Sequence, residues 1–357
     1  MSSRPSSPGR SVLAEFRLID QLRRRFGHKG ARVVQGIGDD SAVVRPPSGQ
    51  DLLYTSDLLA EGIHFRRNTI TATDLGYKAA VANLSDIAAM GGTPEYILAA
   101  IAIPRDYNAS TIVRIYSGLM QACRPYGVRL IGGDTSSSAG GMFLSIMVTG
   151  RIARGRALTR GGARVGDLIY VTGTLGDSLA GLQLLKDVSG TRRLSRAARA
   201  FLVARHRRPS PRIDTGKMLI RHRLASASID LSDGLSGDLS HICTESAVGA
   251  EIEATSLPIS PACRAFAEAK ATTAAHLALQ GGEDYELLFT VPPSAQTKVE
   301  RLGRKADCRW TCIGVIRPHS FGLRLRTKDG MLRPVSVTSY RHFQSGRKRD
   351  REVPCSP

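Results

Sequence analysis

DLGYKAAVANLSDIAAMGG, residues 74–92, is the segment around which the chain is organised. Asp74 is suited to cap an N-terminus and Gly91-Gly92 supply a stop, so the stretch reads as one helix of about four to five turns. Ala79, Ala80, Ala82, Ala88 and Ala89 leave its body narrow. Neighbouring elements can then approach closely, and the helix is expected to be buried on most sides. Asn83 and Asp86, three apart, share a face. A buried carboxylate there must be paired, hydrogen-bonded or bound to a metal. For a lone helix acid the ordinary role is a cap or a partner for an arginine. The rest of the chain shifts that balance.

At 357 residues the chain can bury two ordinary cores, so two domains are expected. No apolar run approaches the ~20 residues of a membrane span. The opening MSSRPSSPGR, residues 1–10, reads as a disordered tail. Six cysteines are scattered without a CxxC pair or close histidines, which fits reduced thiols in a cytoplasm better than disulfides or zinc. The net charge of +19 invites a nucleic-acid reading. Against it, only 9 of the 50 basic residues are lysine, aromatics are few, and no stacking platform or zinc finger occurs. Nucleic-acid binding therefore ranks well below an enzyme with phosphorylated substrates.

Working outward, residues 11–26 place Leu13, Phe16, Ile19, Leu22 and Phe26 on one stripe of an amphipathic helix. GIGDDSAVV, residues 36–44, is a glycine turn holding Asp39 and Asp40 before a β-branched run. A strand at 52–54 ends in Thr55-Ser56-Asp57, an oxygen cluster suited to a hard cation, followed by Glu61-Gly62-Ile63-His64-Phe65. His64 is equally readable as a loop histidine. Beyond the helix come a buried strand at 96–103, a helix at 109–126, and a short strand at 128–131 that stops at Gly132-Gly133-Asp134. A strand at 142–152 leads to the expected domain boundary at 154–156. The second half opens with a strand at 168–171, whose exit Thr172 to Ser178 leads into a helix with N-terminal amides able to hold an anion. An arginine-rich stretch at 191–223 reads as two amphipathic helices split by Pro209-Ser210-Pro211. A strand at 225–229 ends in Asp230-Leu231-Ser232-Asp233-Gly234, and Gly281-Gly282-Glu283-Asp284 precedes a strand at 285–291. Strands near 311–316 and 321–326 and a basic tail at 344–357 complete the chain.

A shared grammar results, in which a strand or glycine turn is tipped by an acid: Asp40, Asp57, Asp134, Asp230 with Asp233, and Glu283 with Asp284. Each alone is more ordinary as a turn or cap residue. Gathered near Asp86, each carboxylate pair about 4 Å apart would repel by roughly 4 kcal/mol at an effective dielectric near 20. Divalent cations relieve that repulsion. Oxygen ligands without a His/Cys cage suit Mg²⁺ bridging to phosphates, which points to phosphoryl chemistry in a protein whose basic surface attracts anions.

The motifs GIGDDSAVV, TSDLLAEGIHF, DLGYKAAVANLSDIAAMGG, IGGDTSSS, GRALTRGGARVGDLIYVTGTLGDSLAGL, IDLSDGLSGDL and GGEDYELLFTV resemble, in order, the motif series of the thiamine-monophosphate kinase family. That family lies within the aminoimidazole-ribonucleotide synthetase (PurM-like) superfamily. The resemblance runs from about residue 11 to 343. A selenophosphate synthetase would carry a reactive cysteine before the first glycine turn, and none is present. The resemblance implies an α/β (α+β) PurM-like fold with an N-terminal domain at 11–153 and a C-terminal domain at 154–343. N-terminal strands from two subunits would join in a homodimer.

It also implies an activity, the ATP-dependent phosphorylation of thiamine monophosphate to thiamine diphosphate. By motif position, Asp40, Thr55, Ser56, Asp57, Asp86, Asp134, Asp230 and Asp233 match magnesium ligands. Tyr116, Gly133, Asp134, Arg160 and Ser232 match ATP contacts, and His64, Glu283 and Tyr340 match positions that hold the thiamine phosphate. Ser56 stands where the family often has threonine. The acceptor phosphate is already ionised at neutral pH, so direct transfer needs no protein nucleophile or strong base. The rival readings are another ATP-dependent member of the superfamily and a basic nucleic-acid-binding protein.

Overall fold

The computed structural model describes residues 21–22, 24–27, 33–35, 43–44 and 46–337. Asp40, Tyr340, most of the first amphipathic segment and both tails lie outside them. Strands β1 (Val33–Gln35) and β2 (Val43–Val44) form a small antiparallel pair. Strands β3 (Gln50–Ala60), β4 (Thr93–Pro104), β5 (Arg129–Ser138) and β6 (Phe143–Ala153) form a four-stranded sheet in the order β3-β6-β4-β5. Its one parallel pair, β4 with β5, is joined through a helical crossover, as parallel strands require. The second sheet has seven strands: β7 (Leu168–Thr172), β8 (Ala227–Asp230), β9 (Val248–Glu253), β10 (Leu287–Val291), β11 (Trp310–Pro318), β12 (Leu323–Arg326) and β13 (Leu332–Pro334). Their order is β13-β12-β9-β11-β7-β10-β8, antiparallel except for β9 beside β12.

The central helix, α1 (Ala72–Ala89), packs on β3 and β6 of the first sheet, on α2 (Ala109–Cys123), and on β8 and the later helix 213–222 of the second half. Its N-cap is Thr71, whose hydroxyl accepts the Asp74 amide at 3.1 Å, so Asp74 sits in the first turn, where its charge favours the helix dipole, instead of capping it. Small residues do what the sequence suggested. A Cβ on Gly76 would fall 1.8 Å from the Ile115 carbonyl oxygen, and one on Gly118 would fall 1.7 Å from that of Thr73, so α1 and α2 cross backbone to backbone. On another side, Gly216 lies against Ala88, where a Cβ would be 2.1 Å from the carbonyl oxygen. Leu84 and Ile87 are fully buried, each worth roughly 1.5–3 kcal/mol of transfer free energy.

Two strands outrun their expected ends. Eleven paired positions with β6 carry β3 through Thr55, Ser56 and Asp57 to Ala60, so these residues lie within an edge strand and not at its tip. Likewise β5 continues past Gly132 through Asp134 to Ser138, held by β4. Gly133 permits this, since a Cβ there would meet the Ala99 oxygen at 2.0 Å. The arginine-rich stretch forms α4 (Arg196–Arg207) and α5 (Ile213–His222) on either side of Pro209-Ser210-Pro211, as its periodicity indicates. The helix α3 (Asp177–Lys186) follows β7, but its N-terminal amides are already occupied: Asp284 accepts from the amides of Gly176 at 2.6 Å and Ser178 at 3.0 Å. The anion held there is the chain's own.

Candidate active site

Where α1 faces the edge of the first sheet, its two polar residues find the partners they need. Thr55 donates its hydroxyl proton to Asp86, and the Asp57 amide donates to the Asn83 carbonyl oxygen at 3.1 Å. Asn83 in turn donates to Ala79 O at 3.2 Å. Strand β8 ends at Asp230, and the turn after it brings Ser232 and Asp233 to the same place before α6 (Leu235–Glu245) begins. Ser56, Asp57, His64, Asp86, Asp230, Ser232, Asp233 and Glu283 all line one cavity of about 930 Å³.

The acids at one end of this cavity are electrostatically strained. Burial, then the charges of Asp86 and Asp233, push the Asp57 carboxyl up to about 6. Burial also raises Asp86, opposed by the Thr55 hydrogen bond and by Arg160. Asp230 is raised well above the ordinary range by burial, then by Asp86 and Asp238, and its buried Oδ2 has no hydrogen-bond partner. Carboxyl oxygens buried and crowded against one another fit a hard divalent cation, whose charge relieves the repulsion that raises them. Among the described residues no group of three or more His, Cys, Asp or Glu side chains is arranged to hold a metal ion by itself. An open carboxylate platform of that kind suits Mg²⁺, which keeps waters and takes ligands from bound phosphates.

The other end of the cavity belongs to Glu283. It follows Gly281-Gly282 with φ of 63°, a left-handed conformation that costs a non-glycine residue about 1 kcal/mol or more. Two backbone bonds hold the strained turn against the end of β8: Glu283 N to Ser232 O at 2.8 Å and Tyr285 N to Leu231 O at 2.9 Å. His64 sits in the loop after β3, where its Nδ1 accepts the Ala60 amide at 2.9 Å and fixes the ring.

Other expected residues are not gathered here. The sheet register sets Asp57, Ile146, Ala99 and Gly133 on one line across β3, β6, β4 and β5. Asp57 and the Gly133-Asp134 pair thus lie at opposite edges, about 14 Å apart at the usual strand spacing. Tyr116, on α2, stays with the far edge: it is buried, its hydroxyl donates to Ala99 O at 3.3 Å, and burial followed by the Asp134 charge raises its pKa. Arg160 is exposed, with its charge felt by Asp86 and Asp238.

Three functional-looking residues escaped sequence reading. Lys78 of α1 and His206 of α4 both contact Glu283. Asp238 accepts the amides of Asp233 at 3.2 Å and Gly234 at 3.0 Å, and burial, then Asp233, pushes it up to about 8. Only Asp238, four residues beyond the glycine that opens its helix, carried a local signal.

Two α/β halves around an acid-lined cleft define a class. Residues 38–152 match the family described as AIR synthase related protein, N-terminal domain, and residues 164–324 match its C-terminal domain. The thiamine-monophosphate kinase of Haemophilus influenzae is 38% identical over 341 residues, covering 94% of this chain and all of that protein. That of Escherichia coli K12 is 40% identical over 329 residues, covering 92% and 98%. The structure of AaThiL complexed with AMPPCP and TMP superposes with a TM-score of 0.73 at 36% identity, covering 92% of this chain and 97% of that one. The chain belongs to the thiamine-monophosphate kinase family, with the PurM-like fold of its superfamily.

Proposed function

We propose that this chain transfers the γ-phosphoryl group of ATP directly to the phosphate of thiamine monophosphate, giving thiamine diphosphate and ADP, in the cleft between its two halves. Family membership supplies the reaction, and the observation that carries it to particular residues is the cavity itself. It sets a cluster of ion-hungry carboxylates, Asp57, Asp86 and Asp230, at one end and Glu283 with His64 at the other. Asp57, Asp86, Asp230 and Asp233, with Thr55 and Ser56, would hold Mg²⁺. Bound there, the ions would neutralise the phosphates and polarise the transferring group.

Around such ions the chain's own work is positional. Thr55 and Asn83 fix the Asp86 carboxylate and the Asp57 backbone before any ligand arrives. Arg160, exposed beside Asp86, is placed to meet anionic phosphate. His64 and Glu283 take the thiamine end. Because donor and acceptor are both phosphates, charge neutralisation and alignment supply most of the rate.

We further assign residues 11–153 and 154–343 as two domains, and a homodimer formed through the four-stranded sheet. Among the described residues that sheet leaves both β3 and β5 as edge strands, and it exposes Leu52, Tyr54, Leu58, Phe143 and Met147. Joining β3 of one copy to β5 of the other would bring Asp57 beside Asp134, Gly133 and Tyr116 of the second copy, completing a site that one chain divides. Five described cysteines are free thiols, in keeping with a cytoplasmic reaction.

The test is incubation of the purified protein with ATP, Mg²⁺ and thiamine monophosphate, with products resolved by chromatography. Equal thiamine diphosphate and ADP are expected, with none when metal is omitted or thiamine replaces its monophosphate. No product from folded, ATP-binding protein refutes the acceptor assignment.

A further inference from the structure

Glu283, Lys78 and His206 all line the cavity, but Glu283 is the most open of the three, with its side chain 28% exposed against 1% for Lys78 and 6% for His206. The two basic side chains come from opposite halves of the molecule and approach different oxygens. Lys78 Nζ lies 2.6 Å from Oε1 in an ion pair, and His206 Nδ1 lies 3.5 Å from Oε2. Ser178 Oγ contacts the same His206 nitrogen at 3.1 Å and anchors the ring. With one group at each oxygen, the carboxylate is held from two sides where it lines the cavity.

Lys78 also stands at a defined distance from the acids. Lys78, Ala82 and Asp86 follow one another at intervals of four along α1 and all line the cavity. At 1.5 Å per residue the span from Lys78 to Asp86 is about 12 Å. One helix face therefore carries the phosphate-side acid at one end and the support for Glu283 at the other, with only a methyl group between.

We propose that Lys78, assisted by His206, is a positioning residue that keeps Glu283 an aimed, ionised hydrogen-bond acceptor for the amine-bearing cationic heterocycle of the substrate. This rests on the thiamine monophosphate reading above. Burial alone would raise Glu283, but the Lys78 charge outweighs it and holds the carboxyl below its ordinary value; burial and the same Lys78 charge push His206 down to about 3, so His206 assists as a neutral ring. Only an ionised carboxylate is purely an acceptor, and so discriminates for an N–H donor or a cation. Lys78 acts through Glu283 and not on the phosphate.

The experiment is a double-mutant cycle on the full chain, with kcat and both KM values measured for wild type, Lys78→Met, Glu283→Gln and the double variant. Lys78→Met is expected to raise KM for thiamine monophosphate about ten- to a hundredfold, the scale of losing a charged hydrogen-bond acceptor's support. KM for ATP should stay within about threefold. In the Glu283→Gln background the same substitution should add less than about threefold, because its target is already gone. Effects that multiply in the double variant, or a change in KM for ATP and kcat with KM for thiamine monophosphate unmoved, overturn the inference. Should Lys78→Met fail to fold, His206→Gln, on a different helix, enters the same cycle with the same criterion. Wild-type protein inactive on thiamine monophosphate overturns the functional reading itself, which separates the two failures.

Discussion

Replacing Glu286 by glutamine should destabilise this protein more than most single substitutions, because two guanidinium groups and a hydroxyl depend on one carboxylate. Glu286 is fully buried. Arg212 donates to it through Nε and Nη2, both at 2.6 Å, Arg205 through Nη2 at 2.7 Å, and Thr172 through its hydroxyl at 2.6 Å. The cluster ties α4 and the start of α5 to β7 and to the strand entered from Glu283. Glutamine keeps the shape but removes the charge, leaving the buried Arg212 guanidinium with only the half-exposed Asp307 carboxylate 3.6 Å away, at a cost of about 3–5 kcal/mol. For a chain of this size that is a fall of about 4–7 °C in Tm. The pH dependence supplies a second signature. Burial raises Glu286, but Arg212 and Arg205 together hold it below the usual 4.5. Its stabilisation is then complete above the unfolded value and is lost as pH falls through the folded one. Calorimetry at pH 7 and near pH 4 should therefore find the gap between wild type and Glu286→Gln widest at pH 7 and narrowing in acid. A gap below about 2 °C at pH 7, or one indifferent to pH, refutes the assignment of this cluster as the clamp between the arginine-rich helices and the second sheet.

Asp57→Asn and Asp86→Asn are each expected to lower kcat at saturating ATP by about a hundredfold or more, measured by thiamine diphosphate formation; near-normal rates in both would sink the metal-platform reading. Gly118→Ala should destabilise by about 1–3 kcal/mol or more, since its Cβ would lie 1.7 Å from the Thr73 oxygen, whereas Gly140→Ala, with no atom within 4 Å, should leave Tm unchanged. Leu58→Asp, on the exposed apolar face of β3, should shift the protein to monomer in light scattering and abolish turnover, and a fully active monomer would exclude the shared site. Mixing inactive Asp57→Asn with inactive Asp134→Asn protein should restore up to about a quarter of wild-type activity, because half the dimers would carry one intact site; no recovery after verified exchange places both acids in one chain.

The helix at α1 was legible because composition and periodicity agreed with its environment: alanines and glycines that let two helices cross it at backbone distance, and Asn83 and Asp86 on the one face that meets β3. Strand ends were less legible, since a local sequence does not reveal pairing. Asp57 and Asp134 looked like tips because hydroxyls and glycines follow or precede them, yet long antiparallel and parallel registers carry both strands onward. The arginine-rich segment shows the opposite failure. Its charge suggested a surface property, while Arg205 and Arg212 are bound inward to Glu286, Arg207 donates to Thr69 O at 2.7 Å, and Arg208 reaches Asp74 and covers the Tyr77 ring. Those partners lie 74 to 138 residues away in sequence, beyond any local pattern.

Lys78 belongs to the same category, and its case is the more instructive. In the sequence it is one lysine at a helical position, ordinarily solvated. Folding buries it because the narrow alanine face of α1 is pressed between the two halves, and the carboxylate it pairs with comes from a strained turn more than two hundred residues later. The alanines that make the helix a close-packing element are thus what force Lys78 and Asp86 to find partners along one wall of the cleft. A helix chosen for close packing becomes the fixed scale on which the two ends of a substrate are measured.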